Sequence, residues 1–474
     1  MCWAEVAAHA ATVQGGVYDA ESQNPLARTR VALVPLPGNA VPVASLLSND
    51  HGGYVFDNVK PGWYLIRAAR TGYEVAEYGQ VRPGRPGVPF EVSGSVESGE
   101  ARQIVMHHQA VITGSVVDDN AIGIAGWAVN LYTARQPMRR VAVTMTDDRG
   151  NFRVGELEAG SYLVRAGGGG LEDASTVVPS YYKYGTSVAG AEPVRVRLGE
   201  TQGFVLIHTV EGQLFDINGY VAAPDKSQVR VSLITDTGQR LIANAAGPYT
   251  VSGVPPGPVE ILVWGSGCAG FQRILVDKNL YVRVDCSAVA APTVTGADGE
   301  TLIARRVGLD GLGPEQIVSA TEILLPGRWE FTVRPGPSRY LTGIRNAGDA
   351  ASAVVRNDGW YVLDIGNTPR LEVTFSDKPG SISGIVSSGG RALIGAPVYL
   401  ERVNPDAPEL ALQAWTGRAD ERGRYEFRGL APGAYRLMSG YDIDPEEAVV
   451  RDRAVTAVVR EGENVVQGLE ALVQ

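Results

Sequence analysis

Three short stretches of this chain have the residue types and spacing of reactive sites. His208-Thr209-Val210-Glu211 has the H-x-x-E spacing of a zinc pair. Such a site needs a third protein ligand, and no histidine follows His208 among the five of the chain (His9, His51, His107, His108, His208). His107 and His108 are adjacent, and on a strand neighbours point to opposite faces, so they do not share one ion. Gly265-Ser266-Gly267-Cys268-Ala269-Gly270 matches G-x-G-x-x-G after the apolar run Glu260 to Trp264. A dinucleotide site also needs a helix that starts inside the motif and holds the pyrophosphate at its N-terminus. The next residues, FQRILVDKNLYVRVDC (Phe271 to Cys286), are rich in β-branched side chains around a D-K-N turn and read as a hairpin. The run Gly167 to Gly170 lacks the Lys-Ser/Thr of a phosphate loop. Asp442, Asp444, Glu446 and Glu447 offer the oxygen ligands of a calcium site but not the glycine that bends its loop. They read as a solvated loop, and Asp118-Asp119 and Asp147-Asp148 as turn residues. No G-x-S-x-G occurs, and no serine, histidine and acid are spaced as a triad. The sequence therefore points to no catalytic residue, no metal set and no cofactor.

The more regular signal is a repeat that must position whatever the chain uses. SNDHGGYVFDNVKPGWYLI (Ser48 to Ile66) aligns without a gap to ADERGRYEFRGLAPGAYRL (Ala419 to Leu437). The shared pattern is an Asp or Asn, then glycine, an aromatic, and a second glycine before a last aromatic. Its members are Gly52, Tyr54 and Gly62; Gly150, Phe152 and Gly160; Gly247, Tyr249 and Gly257; and Gly423, Tyr425 and Gly433. A remnant, LPGRWEF, stands at Leu325 to Phe331. A second signature, V/I-x-G-x-V, precedes each clear copy and is centred on Gly15, Gly114, Gly219 and Gly384. The gap between the last two is long enough for two shorter units. Five units result: 13–108, 109–209, 210–287, 288–379 (divergent) and 380–474, after an extension, 1–12. The D/N-x-x-G element reads as a tight turn with glycine at positive φ, and the aromatics behind it face a core.

Composition agrees with strands. Of 474 residues, 44% are hydrophobic and 58 are glycine, and valine dominates the apolar runs. No sustained 3.6-residue period occurs. Units of about 100 residues built from short strands predict antiparallel β-sandwiches. The expected fold class is all-β: five tandem immunoglobulin-like/transthyretin-like sandwiches in an elongated chain. The net charge of −10 argues against a nucleic-acid partner. No apolar run reaches the ~18 residues of a transmembrane helix.

The V-x-G-x-V strand, the D-x-x-G-x-[Y/F]-x-F hairpin and the L-x-P-G-x-Y strand resemble the carboxypeptidase regulatory-like family, whose domains are transthyretin-like (prealbumin-like) sandwiches of about seven strands. The linkers add to it. Tyr181-Tyr182-Lys183-Tyr184-Gly185 before Pro193-Val194-Arg195-Val196, and PRLEVTFSDKPGSISGIV ending at Val386, resemble segments of tandem members from soil bacteria. The resemblance implies the fold and an exported bacterial protein, extracellular or at the cell surface. It implies no reaction, since these domains are accessories or repeats. The related B-type repeats of Gram-positive adhesins need a lysine on an early core strand for their Lys–Asn crosslink, and the first strands here have none.

In an exported protein a disulfide is expected between Cys268 and Cys286, brought together if the hairpin folds around Lys278. Cys2 is then either free or an intermolecular bridge. Residues 1–12 are either a leader remnant, AAHAA being small enough for a cleavage site, or an inter-subunit segment whose candidates are Cys2, Trp3, Val6, Ala8, Ala10 and Val13. Two functions fit. One is a non-enzymatic surface fibre or adhesive stalk, assembled head to tail through edge strands or the N-terminal segment, with copies of itself or other surface proteins as partners. The other is a secreted module binding glycans or peptides, using Trp127, Trp360, Trp415, Tyr181, Tyr182 and Tyr184 as platforms.

Overall fold

The computed structural model describes residues 11–36, 41–93, 101–134, 138–167, 177–186, 188–224, 229–235, 238–244, 247–309, 311–334, 336–347, 354–355, 359–404 and 407–472. Cys2, Trp3, Val6, Ala8 and Ala10 lie outside them. The first unit sets the plan. Its strands are β1 (Ala11–Asp19), β2 (Arg30–Pro35), β3 (Ala44–Leu47), β4 (Gly53–Val59), β5 (Gly62–Ala69), β6 (Ala76–Glu77), β7 (Phe90–Val92) and β8 (Arg102–Met106). One sheet runs β4-β1-β8, and the other β3-β2-β5-β6 with β7 also on β5. Inward-facing residues of both sheets, among them Val17, Val31, Tyr54, Phe56, Ile66 and Ile104, fill the space between. Strand alternation decides which residues those are. Val13, a candidate for contact with another subunit, is buried in this core and pairs with Phe56 across to β4.

The plan recurs around four further large cores, centred on Leu131 and Phe152, on Val231 and Ile261, on Phe331 and Leu371, and on Leu400 and Tyr435. The divergent fourth unit also has two sheets. Thr293–Thr295, Arg370–Ser376 and Tyr340–Asn346 face a sheet built on Leu302–Gly308, Gly327–Val333 and Tyr361–Ile365. The only α-helix among the described residues is the short Ala448–Asp452. No helix among them is long and apolar enough to cross a membrane.

Two expectations need correction. The sandwiches are not purely antiparallel. β1 pairs with β8 in parallel, and Ala110–Val117 with Thr201–His208, Phe215–Ala222 with Leu280–Asp285, and Gly380–Ser388 with Asn464–Val466 do the same. The last strand of a unit returns beside its first, so that each small sheet is closed by the chain's own end. Secondly, Cys268–Val276 and Leu280–Asp285 do not form a hairpin. The chain crosses at Lys278 from the five-stranded sheet of the third unit to its three-stranded one. The Cys268–Cys286 bond thus ties two sheets rather than two neighbouring strands. The first and fifth units also touch, through an ion pair between residues 360 apart in sequence.

Candidate functional site

The repeated acid is used up by its own turn. Asn49 Oδ1 accepts the N–H groups of His51 (2.9 Å) and Gly53 (2.8 Å). Asp147 Oδ1 does the same for Arg149 (2.9 Å) and Asn151 (2.7 Å), and Asp420 Oδ1 for Arg422 and Arg424 (2.8 Å each). An amide oxygen serves as well as a carboxylate, which explains why Asn and Asp interchange. The Asp147 carboxyl is held below its usual range, first by the Asn151 N–H and then by that of Arg149, the opposite of a general acid. Gly52, Gly150 and Gly423 close these turns at φ of 72°, 79° and 73°, where a side chain would be strained.

The two other repeated features meet at one carbonyl. Tyr54 Oη donates to Arg102 O (2.6 Å), Tyr249 Oη to Val282 O (3.0 Å) and Tyr425 Oη to Gln467 O (2.6 Å). Each acceptor lies on the returning parallel strand or directly beside it. A Cβ on Gly15, Gly219 or Gly384 would fall on that same carbonyl, and one on Gly114 would fall on Val205 O. The signature glycine and the signature tyrosine are therefore one device for docking the last strand. Phe152 occupies the tyrosine position without a hydroxyl. The final aromatic forms a corner: Tyr64, Tyr162 and Tyr435 donate to the carbonyls of Lys60, Glu158 and Ala431, four residues back. In the LPGRWEF remnant Trp329 Nε1 donates to Leu325 O (2.8 Å). An indole thus does the work of the missing phenol.

The motifs that resembled chemistry are dispersed. His208 stacks on Tyr184, ring centroids 5.1 Å apart, and no group of three metal-ligating side chains exists among the described residues. Gly265 pairs with Cys268 across a two-residue hairpin turn with Gly267 at φ 80°. Of the aromatic candidates, Trp360 and Tyr181 are buried in the protein and Trp415 packs on Tyr435. One acid–imidazole–hydroxyl cluster does form, and the sequence spacing hid it. Asp19 Oδ2 accepts from Tyr73 Oη (2.9 Å) and lies 2.9 Å from His108 Nε2. Its Oδ1 accepts from Ser22 N–H (2.7 Å), Ser22 Oγ (2.9 Å) and Glu21 N–H (3.0 Å). Burial works to raise the Asp19 carboxyl, but hydrogen bonds from Ser22, Tyr73 and Glu21 outweigh it and hold the group well below the usual range. Ser22 donates to the acid rather than to the imidazole, so no nucleophile–base pair results. The cluster pins the end of the first sandwich beside Gly199 of the second, whose N–H donates to His108 O.

The acidic cluster expected to be a solvated loop has partners. Arg82 Nε meets Asp442 Oδ1 (2.5 Å) and its Nη2 donates to Asp442 O (3.0 Å). Arg85 Nη2 meets Asp444 Oδ2 at 2.7 Å. Burial acts to raise the Asp444 carboxyl, yet the Arg85 hydrogen bond and the Glu446 N–H bring it below its usual range. Deeper in, Glu77 is bridged by two arginines. Its Oε1 accepts from Arg67 Nη2 (2.8 Å), and its Oε2 from Arg418 Nη2 (2.6 Å) and Gly87 N–H (2.8 Å). Arg418 Nη1 adds bonds to the carbonyls of Gly87 and Gly395 (3.1 Å each). Val34, Leu36 and Leu65 with Trp63 and Ile394 form an apolar seam alongside. This junction of the first and fifth units is a polar and apolar site that lies outside the repeat. Asp444 and Glu446 also face the second unit's Arg139, Arg195 and Arg197 across a cleft of about 960 Å³. A sequence signal existed, since R-P-G-R and D-I-D are opposite dyads outside the motif, but nothing local paired them.

Residues 12–92 match the carboxypeptidase regulatory-like domain family. No curated protein matches the chain. Among solved structures, the Bacillus anthracis TIE protein aligns over 97% of this chain and 73% of its own at 11% identity, with a TM-score of 0.20. The shaft pilin SpaA of Lactobacillus rhamnosus GG aligns over 43% and 99% at 9% identity and TM-score 0.25. BcpA, the major pilin subunit of Bacillus cereus, aligns over 97% and 98% at 10% identity and TM-score 0.17. TM-scores this low carry no weight for what this chain does.

Proposed function

We propose that this chain, a tandem β-sandwich protein whose first unit matches the carboxypeptidase regulatory-like domain family, is a non-enzymatic structural protein of the bacterial exterior. It would act as a subunit of a surface fibre or adhesive stalk, with 13–108, 109–209, 210–287, 288–379 and 380–474 as its building units. The observation that carries the reading is where the repeated polar groups go. Acids cap turns, tyrosines dock the returning strand or brace a corner, and glycines make room for a carbonyl. What the copies share is spent on holding the fold, and no shared reactive centre remains among the described residues. A disulfide suits an oxidising compartment.

Association is supported by the sandwich edges. In the second unit the edge strand Arg140–Met145 exposes Val141, Val143 and Met145 on one side. In the first unit Val43, beside the equivalent edge strand β3, and Leu47, on it, are also exposed. Soluble proteins normally guard such edges with charge. Negative-stain microscopy of the full chain, assembled at about 1 mM and diluted only onto the grid, tests the proposal. Filaments that shorten or vanish in Val143→Lys/Met145→Lys, or on removal of residues 1–12, are expected. Particles of single-chain size under all conditions would sink the fibre reading.

A further inference from the structure

We propose that the junction of the first and fifth units is an assembly interface that one chain closes on itself and that two copies close between them, the fifth unit of one seated on the first unit of the next. This deepens the fibre reading by naming the partner surface, and it rests on that reading for its purpose.

Four observations lead there. The contact joins the two ends of the chain through different surfaces, an arginine-bearing loop (Arg82, Arg85) and an acid-bearing one (Asp442, Asp444). It is therefore heterologous, the kind of contact that yields a closed ring or an open filament according to whether the geometry closes. Its chemistry is that of a joint between consecutive units. Where the third and fourth units meet, buried Glu260 is approached by Arg306 from the neighbour and by Arg273 from its own sheet. Where the first and fifth meet, buried Glu77 is approached by Arg418 from the neighbour and by Arg67 from its own sheet. The surfaces also fit in shape. Gly395 faces Pro89 and Leu36 so closely that a Cβ there would stand 2.6 Å from Pro89 Cγ. And the acid-bearing surface continues into the cleft where Asp444 and Glu446 face Arg139, Arg195 and Arg197 of the second unit, so a fifth unit seated on a copy would meet its first and second units together, with the units between as its tether. A tether of this kind raises the effective concentration of the second site to the order of mM. Closure on itself then dominates in dilute solution, and exchange between chains takes over when the protein is concentrated or locally crowded.

Charge reversal separates the two modes. Arg82→Glu/Arg85→Glu gives a full-length chain with acids on both surfaces. Asp442→Arg/Asp444→Arg gives one with bases on both. Each alone is expected to remain a monomer with a larger radius of gyration than wild type. Mixed in equal amounts, each surface finds its complement only on the other chain, and the light-scattering mass is expected at least to double. The gain should disappear near ~1 M salt, where charges are screened within about 3 Å. A mixture that stays at the monomer mass, or single variants no more open than wild type, would overturn the interface. A second readout needs no substitution. The mean mass of wild-type protein should stay at one chain in the μM range and rise as its concentration approaches about 1 mM. A flat mass across that range also overturns it. The fibre reading fails separately, if wild type makes no filaments while the mixed pair still associates.

Discussion

Gly15→Ala is the sharpest test of why the repeat exists. A methyl group there would lie 2.7 Å from the Arg102 carbonyl carbon and 2.5 Å from Tyr54 Oη. Both are far inside ordinary van der Waals contact. The first neighbour is backbone and cannot rotate away, so β8 must retreat from β1. That retreat breaks the 2.6 Å bond from Tyr54 Oη to Arg102 O and leaves a hydroxyl short of a partner in a packed core. Overpacking costs about 1–3 kcal/mol and an unsatisfied buried polar group about as much, so the substitution should destabilise the pairing by about 3 kcal/mol. Tyr54→Phe removes the hydroxyl without displacing anything and should cost only about 1 kcal/mol. Phe152 at the same position of the second unit shows that a ring alone is accommodated there. Local hydrogen exchange on the full chain distinguishes them. Amides of Arg102–Met106 should exchange about a hundredfold faster in Gly15→Ala but only about fivefold faster in Tyr54→Phe, at 1.4 kcal/mol per factor of ten. Equal protection in Gly15→Ala and wild type, or a larger effect from Tyr54→Phe, would refute the reasoning.

Replacing both Cys268 and Cys286 by serine opens a loop with a sequence separation of 18, which should cost the third unit about 3 kcal/mol. Melting with and without reductant should show one transition moving while those of the other units stay. Glu77→Gln removes the charge that Arg67 and Arg418 share, and breaking so enclosed a pair by one partner costs about 3 kcal/mol or more. Small-angle scattering should show the two ends apart, with far-UV circular dichroism unchanged. Asp19 gives an acid-sensitive element. Its folded-state pKa is depressed, so its contribution to stability is fully present above the ordinary carboxylate pKa near ~4 and is lost as pH falls through the lower folded value. Protection factors at Glu21 and Ser22, corrected for intrinsic exchange, should fall below about pH 4 in wild type and show no such step in Asp19→Asn.

What could be read from the sequence, and what could not, divides by distance along the chain. The turn at Asn49 is legible because acceptor, donor and glycine all fall within five residues, and strand alternation places Tyr54 and Phe56 inward without knowledge of the partner sheet. The need for Gly15 is not legible, because the carbonyl that excludes a side chain belongs to Arg102 and arrives only when the last strand returns. That return is also why the sheets are mixed, since no local pattern separates a parallel from an antiparallel neighbour. Trp329 is visible in the sequence as a decayed motif. Its role as a corner donor emerges only once the tyrosines are seen to donate to the fourth residue back. The junction is the extreme case. Asp442 and Asp444 have no apolar run around them that would mark a core and no glycine that would mark a metal loop, so alone they look solvated. The arginines that make sense of them are 360 residues away. Charge dyads of opposite sign that stand outside a repeat are thus better sought as partners of each other than as metal sites. In a chain of tandem sandwiches the repeated residues explain the fold, and the unrepeated charges are where the first unit meets the fifth.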